Sequence, residues 1–247
     1  MANTIALRKQ YSTLLDEVYK LSSLTAVLDG PNELVKEGAN ANEILIPKLS
    51  MQGLADYNKS TGYVTGDVTL DYETKKCAYD RGRMFNVDAM DNIESAGIAF
   101  GRLSGEFLRT QVVPELDAYR LASYAQISGV TTVKAALATG KEALAALRTA
   151  RGKIENAEAN LSTCYLFINP TVYGMIEDLD TTASKKAIEG FAGIIKVPSG
   201  RFYDKVKLNA SGAGGFTKET GAVAMNFLIV DKQAAIQYQK HTVSKII

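Results

Sequence analysis

Two alternating segments bracket a long polar stretch in the first third of this chain, and a compact core has no place for that arrangement. In Glu43-Ile44-Leu45-Ile46-Pro47-Lys48-Leu49 the residues Ile44, Ile46 and Leu49 read as a strand, with Pro47 at an edge or bulge. Val68-Thr69-Leu70-Asp71-Tyr72 alternates again, as does part of Lys76-Cys77-Ala78-Tyr79. Residues 51–66 between them are rich in Gly, Ser, Asn and Tyr and short of large aliphatic side chains. The pattern predicts an extended hairpin with a long polar tip. A loop of roughly fifteen residues without its own core is uncommon in a compact domain and usually functional. The hairpin is therefore expected to lie outside the subunit core, with its tip resting on another chain. Lys48, Lys59, Lys75 and Lys76 flank or occupy it and are read as protection of an exposed strand edge.

Helical periodicity dominates elsewhere. Leu7, Tyr11, Leu14, Leu15, Val18, Leu21 and Leu24 form an apolar stripe that Asp29-Gly30-Pro31 terminates. Asp91-Asn92-Ile93-Glu94 reads as a capping box. Ile93, Ala96, Phe100, Leu103 and Phe107 then repeat at three-four spacing, with Phe100, Leu103 and Phe107 expected to face a sheet. Pro114 is expected to kink or end this helix near Val113, and Leu116, Tyr119 and Ala122 carry the pattern on to about Ala125. Residues 141–158 are another helical run, with Leu144, Leu147 and Ile154 as apolar positions. Thr163-Cys164-Tyr165-Leu166-Phe167-Ile168 reads as a strand buried on both faces. Asn169-Pro170 opens a helix after it, as N-cap and first helical residue. Asn226-Phe227-Leu228-Ile229-Val230 is a second buried strand, and Ser211-Gly212-Ala213-Gly214-Gly215 between them is flexible punctuation. The class predicted is α+β or mixed α/β.

Composition closes off several kinds of function. The chain has 247 residues, 46% hydrophobic and 22% charged, which is ordinary for a globular protein and wrong for a disordered one. Its 28 Lys and Arg against 27 Asp and Glu leave a net charge of +1, too little for a dedicated nucleic-acid binder. The sole histidine, His241, lies in a charged segment near the C-terminus and is read as solvated surface. One imidazole cannot build the common catalytic zinc sites. Cys77 and Cys164 stand alone, which points to neither zinc nor a disulfide framework and suggests a reducing compartment. Charges at Arg8, Lys9, Asp16, Glu17 and Lys20 interrupt any apolar signal-peptide core, and no run is long enough to span a membrane.

The remaining motifs read as structure. The glycine cluster at 212–215 lacks the G-K-[ST] ending of a phosphate loop, and Gly140-Lys141 is followed by Glu142 instead of Ser or Thr, so it reads as a helix start. In Gly101-Arg102-Leu103-Ser104-Gly105 the serine is misplaced for a nucleophile elbow. Asp88, Asp91 and Glu94, and again Glu177, Asp178 and Asp180, are acidic clusters without the alternation of a calcium loop, and read as caps and solvated faces. No catalytic, cofactor-binding or metal-ligating residue is predicted, and no enzymatic activity is expected.

A family resemblance appears in the middle of the chain. Asp80-Arg81-Gly82-Arg83-Met84-Phe85-Asn86-Val87-Asp88, then Asp91 to Glu94, then Val112-Val113-Pro114-Glu115-Leu116-Asp117-Ala118-Tyr119-Arg120 resemble the major capsid proteins of tailed bacteriophages of the Hong Kong 97 type, most closely the group infecting Gram-positive bacteria. Phe167-Ile168-Asn169-Pro170 with Ile176-Glu177-Asp178, Val197-Pro198-Ser199 with Arg201-Phe202, and Asn226-Phe227-Leu228-Ile229-Val230 agree in order, from about residue 67 onward. The resemblance implies an N-terminal arm over 1–41, an extended loop over 42–83, a peripheral domain with its spine helix over 84–128, an axial domain over 129–230 and a return strand over 231–247. It implies an α+β capsid subunit that self-assembles into hexamers and pentamers of an icosahedral head enclosing double-stranded DNA. Its partners would be further copies of itself, a separate scaffolding protein, a portal, a decoration protein, and packaged DNA held non-specifically on the inner face, with no membrane. Its location would be the virion, after synthesis and assembly in the host bacterial cytoplasm. An encapsulin-like bacterial compartment shell, which shares that fold, is the alternative. No Asn–Glu pair stands out to receive a loop lysine, so the shell is expected to be non-covalent.

Overall fold

In this computed structural model, residues 23–30, 36–37, 43–85, 105–210, 212 and 214–237 are described. The opening amphipathic stripe up to Leu21, the capping box at 91–94, Phe100, Leu103, Ser104, Asp88 and His241 lie outside them. The chain divides into two compact units, one of residues 31–85 and one of residues 1–30 with 86–247.

The first unit is a three-stranded antiparallel sheet in the order β1-β2-β3, formed by β1 (Lys36–Glu37), β2 (Glu43–Met51) and β3 (Val68–Lys76). The predicted hairpin forms in one unbroken register, from Glu43 opposite Lys76 to Met51 opposite Val68. Pro47 sits inside this ladder opposite Tyr72, without a bulge. β1 pairs only with Leu45 and Ile44, so at Pro47 the other side of β2 needs no donor.

The second unit is built around β4 (Cys164–Ile168), the central strand of the order β5-β4-β8. β5 (Gly193–Lys196) runs parallel to it and β8 (Phe227–Asp231) antiparallel, so the sheet is mixed and the class is α+β. Asn169 caps α3 (Pro170–Glu177), its side-chain oxygen accepting from the Thr171 amide at 2.9 Å, as the Asn-Pro pair predicts. The link from β4 to β5 passes through α3 and α4 (Thr182–Ile188). Neither β5 nor α4 stood out in the sequence. β8 is half-buried along its length rather than fully buried, because it is an edge of this sheet.

Strand periodicity splits the core in two. Leu166 and Ile168 point to one face of β4, where they pack with Ala143 and Leu147 of α2 (Gly140–Asn156), Val172, Ile176 and Ala187. Phe167 points to the other face and meets Leu28, Leu121, Val197 and Phe202. A strand that serves two cores has no polar face, hence the continuous apolar run.

Pro114 does not end its helix. A π-helical stretch, Leu108–Val112, leads into α1 (Val113–Ala125), with Pro114 in the first turn. The Val113 amide donates to the Leu108 carbonyl, so the wider π turn lies directly before the proline and the helix carries on through it without a capping side chain. Phe107 is only half-buried. The face of α1 turned inward carries Pro114, Glu115, Asp117, Ala118, Leu121 and Ala122 rather than Leu116 and Tyr119, which are half-buried.

Candidate functional site: an apolar hairpin face and a buried carboxylate

The β2–β3 register decides what the hairpin presents. Opposed residues share a face, and the face alternates at each residue. One face therefore carries Leu45, Pro47, Leu49 and Met51 from β2 with Val68, Leu70, Tyr72 and Thr74 from β3, and the Glu43–Lys76 pair at its open end. The other carries Ile44, Ile46, Lys48 and Ser50 with Thr69, Asp71, Glu73 and Lys75. Charge on this second face is balanced internally: Lys75 Nζ lies 2.5 Å from Glu73 Oε1 and holds that carboxyl below the usual range, and Lys48 stands opposite Asp71.

The apolar face has no such closure. Leu70 is 54% and Met51 65% exposed, and every residue of β3 is exposed. At its base Lys36 lies over the Tyr72 ring, 5.3 Å from the centroid. The tip, expected to be polar, also carries large apolar side chains. Leu54, Tyr57, Tyr63 and Val64 are all exposed. Local bonds hold the tip's shape without a core: Asn58 and Gly62 exchange backbone hydrogen bonds, the Ser60 amide donates to Asn58 Oδ1, and the Tyr57 and Tyr63 rings lie 4.9 Å apart. Gly62, at φ 79°, takes the left-handed turn position that a side chain would strain. Residues 51–66 are thus not folded into a core of their own unit.

A second constellation lies in the other unit and was not visible in the sequence. Asp117 on α1 is fully buried. Its Oδ1 accepts from Ser23 Oγ at 2.8 Å, from Thr25 Oγ1 at 2.8 Å and from the Thr25 amide at 3.2 Å. Its Oδ2 accepts from the Leu24 amide at 2.9 Å and from Arg201 Nη1 at 3.5 Å. Arg201, 7% exposed, is one of the residues on which the family resemblance rests. Burial lowers its pKa and Asp117 opposes that shift. Beside them Tyr124 donates to Gln237 Oε1 at 2.7 Å, and burial pushes its phenol up to about 12. The donors that converge on this carboxylate come from residues 23–25 and from Arg201, so it ties those segments to α1.

The other candidate positions fall into structural roles. Gly140 opens α2 under a capping box of Thr139 and Glu142, and a Cβ there would meet the Met175 carbonyl oxygen at 2.2 Å. Gly212, Gly214 and Gly215 all have positive φ and lie in the loop that joins β6 (Val206–Leu208) to its antiparallel partner β7 (Phe216–Lys218), with Ser211 and Ala213 outside the described residues. Glu177, Asp178 and Asp180 are exposed around the α3–α4 junction, where Asp180 pairs with Lys185 at 2.8 Å. Cys164 is buried, its Sγ donating to the Asn160 carbonyl at 3.3 Å, and burial raises its pKa; Cys77 is half-buried, and both thiols are free. Among the described residues no group of three or more His, Cys, Asp or Glu could hold a metal, and no helix is long and apolar enough to cross a membrane.

No protein-family model and no curated protein matches this sequence. Among solved structures the chain is similar to one from Mycobacterium phage Che8, with a TM-score of 0.54 at 13% identity. The superposition covers 95% of this chain and 100% of that one. At that identity the likeness is one of fold.

Proposed function

We propose that this chain is a structural subunit of a phage particle, the major capsid protein of a Hong Kong 97-type icosahedral head, acting by self-assembly and not by catalysis. The observation that carries the reading is the uncovered apolar face of the β2–β3 hairpin, with Leu49, Met51, Val68 and Leu70 in two opposed pairs. Contiguous exposed apolar surface of this kind marks an interaction site. The fold shared with a phage chain supports the choice of assembly. In this reading the hairpin lies on a neighbouring copy, apolar face inward and charged face outward. The remaining parts take the arm, peripheral and axial roles that the family resemblance implies. Scaffolding, portal and decoration proteins would be its partners, and packaged DNA would meet the inner surface through phosphates alone.

The test is assembly of the purified full-length chain, followed by size-exclusion chromatography and electron microscopy. Closed particles are expected from the wild type. The double variant Leu49→Asp with Leu70→Asp should remain a folded monomer by circular dichroism, because both side chains already face water. Lys48→Ser on the opposite face should assemble normally. Particles from the double variant in wild-type yield would overturn the reading. Boiled particles should run as a single band at monomer mass on denaturing electrophoresis.

A further inference from the structure

Residues 23–30 cross the second unit as a short segment with one turn of 3₁₀ helix, Thr25–Leu28. Their hold is concentrated. Four hydrogen bonds from Ser23, Leu24 and Thr25 converge on the two oxygens of Asp117, about ninety positions away in sequence. Two of these donors are the Leu24 and Thr25 amides at the start of the 3₁₀ turn, which have no partner within a turn of their own. Gln237 adds a second grip, its Nε2 donating to the Thr25 carbonyl at 3.0 Å and to Asp29 Oδ1. Arg120 donates to Thr25 Oγ1 at 3.1 Å. The one large apolar side chain of the segment that is fully buried is Leu28, inserted beside Leu121, Phe167, Val197 and Phe202.

We propose that residues 23–30 are a detachable strap, latched by the Asp117 carboxylate, which can leave the body while the rest of that unit stays folded. Two features make it detachable rather than a permanent part of the core. First, Asp117 keeps a counter-ion when the strap goes. Arg201 Nη1 contacts it from the body, so opening does not leave a lone buried charge, the costly outcome for a buried pair. Second, the core of α2, β4, α3 and α4 contains no strap residue, so it remains complete without the strap. The strap also joins residues 1–22 to residues 31–85 in the chain. Release would therefore free both flanking segments from this anchor at once, and expose Leu121, Phe167, Val197 and Phe202 for another contact.

Hydrogen exchange read by mass spectrometry on the unassembled full-length chain tests this. Asp117→Asn puts an amide group where the strap amides need an acceptor. Exchange of peptides spanning 23–30 should rise about tenfold or more, with peptides covering α2 (140–156) and α3–α4 (170–188) unchanged. Gln237→Ala removes two strap bonds and leaves the Asp117–Arg201 pair intact. It should accelerate the same peptides by a smaller factor, and it decides the matter if the Asp117 variant does not fold. Unchanged exchange in the strap, or an equal rise throughout the body, would overturn the proposal.

Discussion

The hairpin and the strand β4 are both apolar β structure, yet they sit at opposite ends of the burial scale. β2 and β3 run nine residues each, and every residue of β3 is exposed. β4 runs five residues, of which Cys164, Leu166, Phe167 and Ile168 are buried. The short strand is covered by helices on one face and by Leu28, Leu121 and Phe202 on the other. The long one leaves Leu49, Met51, Val68 and Leu70 of its apolar face exposed, with Lys36 over the Tyr72 ring at its base. Strand length and hydrophobicity therefore do not report how a strand is stabilised. The neighbours do, and for the hairpin those neighbours belong to another chain in the reading proposed above.

Substitutions can break or sharpen this contrast, and the largest effect should come from β4. Phe167→Ala should lower the stability of the unassembled chain by about 3–5 kcal/mol, because the cavity opens inside a closed cluster. Denaturant titration measures it, and a loss below about 1 kcal/mol would mean that the two regions are more alike than their burial says. Next comes Gly140→Ala. A methyl group 2.2 Å from the Met175 carbonyl oxygen forces α2 and α3 apart, at a cost of about 1–3 kcal/mol by the same titration.

A smaller effect depends on pH. Tyr124 keeps its proton in the folded chain up to about 12, while the unfolded phenol ionises near its ordinary value of 10. The folded state therefore holds the proton more tightly. Its contribution is complete below pH 10 and is lost as pH rises toward 12. With the ring only partly buried the loss is on the order of 1–2 kcal/mol. Tyr124→Phe should flatten the alkaline limb of the stability profile by that amount, and identical limbs for the two proteins would count against it.

The smallest effect belongs to the hairpin. Leu70→Ala should change the stability of the unassembled chain by less than about 0.5 kcal/mol, since the side chain already faces solvent. A loss of 2 kcal/mol in denaturant would show that this face is covered within a single chain.

Much of this architecture rests on short-range signals, and those were readable. The Asn169-Pro170 helix start, the long α2 helix and the two hairpin strands each depend on neighbours within a few residues. The irregularity expected near Val113 is present, but its form, a π turn with the helix continuing through Pro114 to Ala125, is not written in the neighbouring residues. The strands flanking the glycine loop at 212–215 are not legible, because β6 and β7 are only three residues each, too short for alternation to show.

By itself, the sequence determined the class of the fold, the existence of the hairpin and the doubly buried strand β4. Periodicity of two or of 3.6 is a property of consecutive residues, so it survives without coordinates. The tertiary structure alone decided which face of the hairpin is apolar. That depends on pairing Leu49 with Leu70 and Met51 with Val68, and a slip of one residue would mix the faces. It alone also decided that Asp117, Arg201, Ser23 and Thr25 meet. Each is an ordinary polar residue in its own stretch of chain, and burial against partners 84 to 94 positions away turns them into a clamp.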